Sequence, residues 1–298
     1  MEILENLPIA DWRGPFDPVL QRRATAALEA GKVVWLPNLP FRIEKDECDL
    51  LDPAVSGGAR KNISLDPQTA ALANTELESA AAVRLQAMMD RFACTATQFL
   101  RDLLPAYATQ IERGRTSFRP KEIAGRTYSP RHDDKRLHVD AFPSRPVCGR
   151  RILRLFSNVA SDGSARHWQV GEPFADFARK FVPRIKAPLP GSAWLYERLG
   201  ITKGRRSPYD HFMLRLHDCG KLDVAYQTGA PKTDVQFPSG VTWLCFTDQV
   251  LHAALAGHGA LEQTVYLPVE TMTEPALSPL RVLEGMVGRP LVGNETCS

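Results

Sequence analysis

The 298-residue chain is 44% apolar and 24% charged, with a formal net charge of only +3. That composition is ordinary for a water-soluble enzyme with a substantial core, and it excludes a low-complexity chain or a globally polybasic nucleic-acid binder. No apolar run approaches a membrane span, the start Met1-Glu2-Ile3-Leu4-Glu5 lacks a signal peptide's basic and apolar regions, and six scattered cysteines form no CxxC pair, so reduced thiols and a cytoplasmic location, peripheral to a membrane at most, are expected.

Residues 1–18 read as an irregular lead-in with three prolines. Val19–Ala30 is then helical in period and closed by Gly31, and Lys32–Leu36 is a short apolar strand suited to a sheet edge. Asp52–Asp66 has loop composition. Between Pro67 and Ile111 periodic apolar positions such as Leu85, Met88, Phe92, Phe99 and Leu103 predict one long or two shorter helices, with Pro105 as a breaker. After Ser117 strand-like runs dominate: Thr127-Tyr128, Arg151–Val159, Ala193–Tyr196, Phe212–Leu216, Leu222–Gln227, Val241–Phe246 and Thr264–Leu267. A helix at Pro173–Phe181 interrupts them, and Leu280–Met286 is a candidate short helix in the tail. The expectation is one domain over residues 1–298. A largely helical part (1–118) supports a β-sandwich or jelly-roll core (119–270), followed by a C-terminal tail (271–298).

The chemistry concentrates at Leu137-His138-Val139-Asp140. Side chains two apart on a strand share a face, so His138 and Asp140 project together. A second, distant imidazole would complete a two-His-one-carboxylate set, the arrangement that holds ferrous iron on one face and leaves the other open. His211, His217, His252 and His258 are the candidates. His252 is preferred because it stands between the strand Val241–Phe246 and a closing strand, whereas His258, flanked by Gly257 and Gly259, belongs at a hairpin tip. Basic residues crowd around this stretch, which favours an anionic ligand over nucleic acid. On the strand Arg150–Val159, Arg154 shares a face with Ile152 and Phe156; pointing inward, it needs an anion, and a dicarboxylate fits its fork.

Taken together these residues resemble the Fe(II)/2-oxoglutarate-dependent oxygenases, with His-x-Asp, a strand ending in Asn158 and a late His. Arg126–Arg145, Tyr209–Asp218, Phe237–Trp243 and Gly31–Phe41 resemble the Kdo (3-deoxy-D-manno-oct-2-ulosonic acid) hydroxylases of Gram-negative bacteria. The resemblance implies a double-stranded β-helix and Fe(II) on His138, Asp140 and His252. It implies 2-oxoglutarate and O2 as cosubstrates, with ascorbate as an in vitro reductant. The expected reaction is hydroxylation of C3 of the outer Kdo of Kdo–lipid A to Ko, releasing succinate and CO2. Many members of the superfamily carry an arginine about ten residues past the distal His; here Glu262 and Gln263 stand there. The anchor for 2-oxoglutarate is therefore assigned to Arg154, helped by Asn158 and Tyr128, and the anionic substrate to Arg126, Arg131, Lys135, Arg136 and Arg145. Other readings stay open: a hydroxylase of another metabolite or peptide, a cupin-like metalloenzyme of another kind, or a carbohydrate-binding jelly roll.

Overall fold

The computed structural model describes residues 2–57 and 61–293. Eleven strands are present among them: β1 (Leu4–Asn6), β2 (Val33–Leu36), β3 (Ile63–Leu65), β4 (Leu72–Ala73), β5 (Glu112–Arg119), β6 (Arg151–Asn158), β7 (Arg166–Val170), β8 (Thr233–Phe237), β9 (Thr242–Phe246), β10 (His252–Ala256) and β11 (Ala260–Leu267). Eight form a large sheet in the order β1-β2-β9-β6-β11-β5-β3-β4, and three form a small sheet, β10-β7-β8. The helices are α1 (Pro18–Glu29), α2 (Ser79–Leu103), α3 (Phe174–Phe181), α4 (Ser192–Arg198), α5 (Pro208–Leu222), α6 (Val224–Gly229) and α7 (Pro279–Val287).

Alternation along the large sheet sorts its side chains between two cores. Leu153 and Leu155 of β6 and Leu244 and Phe246 of β9 join the core that packs on α1 and α2. Their neighbours Phe156, Trp243 and Cys245 turn the other way, to Trp168, Val170 and Phe237 of the small sheet. The two sheets thus close a jelly-roll sandwich, and the large sheet is buried on both faces. That is why β6 and β9 read as nearly continuous apolar runs. A third cluster joins α3, α5 and α7 to Leu137 and Val139 beside the small sheet.

Several expectations are corrected. Residues before 119 are not only helical support, since β1 to β5 all begin there and supply five of the eight strands of the large sheet, outward from β9 and β11. β1 is the edge, pairing parallel with β2, so the lead-in is ordered and β2 is internal. The helix after residue 67 is single and ends before Pro105. Ala193–Tyr196, Phe212–Leu216 and Leu222–Gln227 are helical, in α4, α5 and α6, and Thr127-Tyr128 is irregular. In α5 the error was one of period: Tyr209, Phe212, Met213 and Leu216 are its large buried apolar residues, at helical spacing. Ser207 caps that helix from Asp210, with Pro208 between them at the first turn. Cys148 is disulfide-bonded, so the expectation of reduced thiols fails there.

Candidate active site

The two histidines meet on one rung of backbone. His138 N–H donates to His252 C=O at 3.1 Å and His252 N–H to His138 C=O at 2.9 Å, which adds the Leu137–Val139 segment to the edge of β10. On its far side that segment is clamped by Gln227, whose amide accepts from Leu137 N at 2.9 Å and donates to Leu137 O at 3.0 Å. Asp140 N–H then donates to Thr247 C=O at 2.8 Å. The result brings one ligand atom each from His138, Asp140 and His252 within 4.8 Å of one another.

Hydrogen bonding fixes how each imidazole is presented. Nδ1 of His138 lies 2.8 Å from Arg136 C=O and Nδ1 of His252 lies 2.9 Å from Val250 C=O. A carbonyl only accepts, so Nδ1 carries the proton in both rings and Nε2 keeps the lone pair. Burial, and then the neighbouring His252, pushes the His138 pKa well down. Burial lowers that of His252 as well, against the pull of Asp140. Both rings are therefore neutral and ready to donate. Burial opposes ionisation of Asp140, but Arg154, with Nη2 at 3.0 Å from Oδ2, outweighs it and holds the carboxyl well below the usual range. Two neutral imidazoles and one carboxylate at this spacing fit a divalent metal.

Behind the histidines stands an aromatic wall. Trp168 stacks on His252 with centroids 5.1 Å apart, and Phe156 meets Trp168 edge-on at 5.1 Å. His217 approaches His138 edge-on at 5.5 Å. Arginines line the remaining side. Glu262 of β11, at the position where a basic anchor was sought, accepts from Arg119 Nη2 at 2.9 Å and Arg154 Nη1 at 2.8 Å. Arg166 is buried and, among the described residues, has no carboxylate within ion-pair distance; Gly257 C=O accepts from it at 3.1 Å. Burial and then Arg119 push its pKa down to about 9, as expected for a buried cation that lacks its anion. Three buried donors around this cavity (Arg154 Nε, Arg166 Nε and the Trp168 indole N–H) have no hydrogen-bond partner. Such donors call for an acceptor-rich ligand, since leaving them unpaired costs about 1–3 kcal/mol each.

The remaining sequence-based candidates divide. Arg154 faces the metal-binding cluster, as its register with Phe156 requires. Asn158 does not: its amide donates to Ser164 and Phe237 carbonyls and accepts from Ala160 N, so its capacity is taken by the backbone. Tyr128 lies outside the cavity, under Lys61 at 4.3 Å and beside Arg126. Arg126 and Lys135 border a neighbouring cavity with Arg119 and Asp134. Arg131 is exposed near Asp218, Arg136 donates to Lys221 C=O, and Arg145 lines a separate basic opening with Lys203 and Arg205. His258 sits by Glu122 and Asp162, outside the site as expected. Sequence reasoning missed Arg166 and Trp168. Their signal was the alternation Arg166-His167-Trp168-Gln169-Val170, whose first, third and fifth residues are buried. Gly257 is needed beside them: at φ +99°, a Cβ would stand 2.6 Å from Ala165 C=O.

Residues 11–290 match the family model described as 3-deoxy-D-manno-oct-2-ulosonic acid (Kdo) hydroxylase. Among solved structures, the chain is similar to the Kdo hydroxylase KdoO, described as a non-heme Fe(II) alpha-ketoglutarate-dependent dioxygenase. Identity is 43% over 100% of both chains, with a TM-score of 0.96 to the cobalt(II) complex. The TM-score is 0.95 to the complexes with Fe(III) and alpha-ketoglutarate and with Fe(III) and succinate, at the same identity and coverage. No curated protein is significantly similar to the chain. Joined to a jelly roll whose paired histidines and buried arginines form one cavity, these matches show that the chain belongs to the Kdo hydroxylase family.

Proposed function

We propose that the chain is an Fe(II)- and 2-oxoglutarate-dependent dioxygenase acting on the outer Kdo sugar of Kdo–lipid A. It hydroxylates C3 to give Ko and releases succinate and CO2. Iron is held by His138, Asp140 and His252. The observation that carries this reading is the convergence of those three ligand atoms within 4.8 Å in a chain of this family. The KdoO complexes with Fe(III) and either alpha-ketoglutarate or succinate support the choice of metal and cosubstrate.

With iron and 2-oxoglutarate bound, the centre supplies an oxidant able to take hydrogen from an unactivated carbon, coupled to decarboxylation of the cosubstrate. The protein's own residues position and shield. Nδ1 hydrogen bonds to Arg136 and Val250 carbonyls fix both imidazoles, and Arg154 orients the Asp140 carboxylate. Trp168 and Phe156 close the wall behind His252 and keep water from that side. The cosubstrate's distal carboxylate is assigned to Arg166 and Arg154. Arg166 is the cation without a protein anion, and Glu262 sets the geometry of Arg154 and Arg119. Arg126, Arg131, Lys135, Arg136 and Arg145 are proposed to meet carboxylates or phosphates of the glycolipid. Arg126 and Lys135 have the best placement, in a cavity they line with Arg119 and Asp134, which also border the cavity of the histidine pair. No described helix is long and apolar enough to cross a membrane. A cytoplasmic protein touching the inner membrane peripherally suits a lipid-linked substrate.

The test supplies purified protein with Fe(II), ascorbate, 2-oxoglutarate and Kdo–lipid A. Succinate should form in proportion to a glycolipid product heavier by one oxygen. Succinate without any change in the glycolipid would leave the oxygenase and remove the substrate. In a deletion strain an unchanged Ko-to-Kdo ratio would do the same.

A further inference from the structure

Large apolar side chains exposed singly need no explanation, but a cluster of them does. Eleven are exposed among the described residues, and six of these (Leu189, Trp194, Leu195, Tyr196, Leu199 and Ile201) fall within thirteen positions around α4. Leu195 of that helix and Leu199 at its C-cap are four apart, the spacing of one turn, so they share a side. Leu189 is 78% exposed and Leu199 64%, values that a packed helix would not leave.

The charge around this patch has one sign. Residues 184–206 contain Arg184, Lys186, Arg198, Lys203, Arg205 and Arg206 against the single acid Glu197. The segment alone therefore carries more net positive charge than the +3 of the whole chain. Arg184 pairs with Asp223 outside it and Arg205 lies 3.9 Å from Glu197, while Lys186, Arg198 and Lys203 have no carboxylate partner among the described residues. An exposed apolar surface edged by unpaired cations matches the interfacial region of an anionic bilayer, where Trp and Tyr sit at headgroup depth and Leu below.

We infer that the segment Leu189–Arg206 seats the protein on an anionic phospholipid surface. Its ties to the rest of the fold give that docking a direction. Lys203 N–H donates to Ser144 C=O at 2.8 Å, and Arg206 Nη2 to Pro143 C=O at 2.5 Å. Those carbonyls follow directly on Phe142, whose ring lies 5.7 Å from the Arg154 guanidinium. The loop leaving the His138–Asp140 strand is thus anchored to the lipid-facing segment. Its value for catalysis rests on the lipid-linked substrate proposed above, whereas the binding itself does not.

The experiment is co-sedimentation of the full chain with phosphatidylcholine vesicles, alone or with one-third phosphatidylglycerol, in the absence of any Kdo compound. Binding is expected with the anionic vesicles and should weaken as salt rises. The double variant L195D/L199D should bind at least about tenfold less. It should fold normally, because both side chains are exposed, and should keep its 2-oxoglutarate turnover with a lipid-free Kdo saccharide. Equal sedimentation of variant and parent, or none for either, overturns the inference. So does a parent dimer that the variant converts to monomer in analytical ultracentrifugation, because the patch would then belong to a second copy. Failure to hydroxylate Kdo with intact vesicle binding would count against the function and not against the docking segment.

Discussion

Two buried arginines three residues apart on β6 make opposite uses of the same chemistry. Arg151 is fully buried, and its guanidinium is enclosed: Asp248 accepts from Nε at 2.8 Å, Gln249 from Nη2 at 2.6 Å, and Met272 sulfur lies 3.1 Å from Nη1. The ring of Phe246 covers its face at 3.8 Å. Arg154, on the other face of the strand, bridges Asp140 and Glu262 yet keeps Nε without a partner, and across the cavity Arg166 has no carboxylate within ion-pair distance among the described residues. A buried cation whose donors are all matched holds the fold together. One left with open donors is waiting for a ligand. The difference separates structural from functional arginines in a region where the sequence shows only a crowd of positive charge.

The comparison can be broken at each point. The largest effect is expected at the metal ligands. His252→Ala should lower 2-oxoglutarate turnover by more than roughly 100-fold, beyond the loss typical of an outer partner, with the fold retained by circular dichroism. Next comes Arg151→Ala, which strands Asp248 in the interior. It should destabilise the protein by about 3–5 kcal/mol in denaturant titration, while metal affinity of the folded fraction stays unchanged. Arg166→Met should behave in the reverse sense: stability equal or higher, and KM for 2-oxoglutarate raised on the order of 30-fold, the equivalent of about 2 kcal/mol. If Arg166→Met unfolds the protein and spares KM, the distinction drawn here is wrong.

The smallest effect is one of pH. Both His138 and His252 have pKa values lowered by burial, so they stay neutral in the fold, while the unfolded chain takes up two protons as pH falls through about 6.5. Unfolding then gains protons, and stability of the metal-free protein must fall as the pH drops below that value and be insensitive to these groups above it. Melting curves at successive pH values, with and without cobalt(II), check this. The metal should stabilise by a similar amount on both sides of that pH, because the folded histidines are already neutral and it need not displace protons from them.

How much of this was legible beforehand depends on how local the signal is. His138-x-Asp140 and the inward face of Arg154 follow from the two-residue period of a strand, so they could be read directly. His252 could be chosen over three other histidines because its flanking strands were recognisable. Asn158 misled, since a polar residue at a strand end looks equally suited to a ligand or to capping backbone groups, and only the fold shows Phe237 and Ser164 taking its amide. Arg166 and Trp168 were hidden for another reason. Their strand is five residues long and pairs with β8 and β10, both far along the chain. Of the strands that begin before residue 119, β2 could be read as an apolar run, but β1, β3 and β4 are two or three residues long, too short to show a period.

The rung joining His138 to His252 carries a consequence for the apo protein. Because the proposed metal ligands sit on the hydrogen bonds that close the small sheet's edge, a cation there would act as a rivet across a seam between distant parts of the chain. Iron would brace a rung that the backbone hydrogen bonds already make. Loss of iron would first loosen that margin, well before the helical side of the molecule gives way.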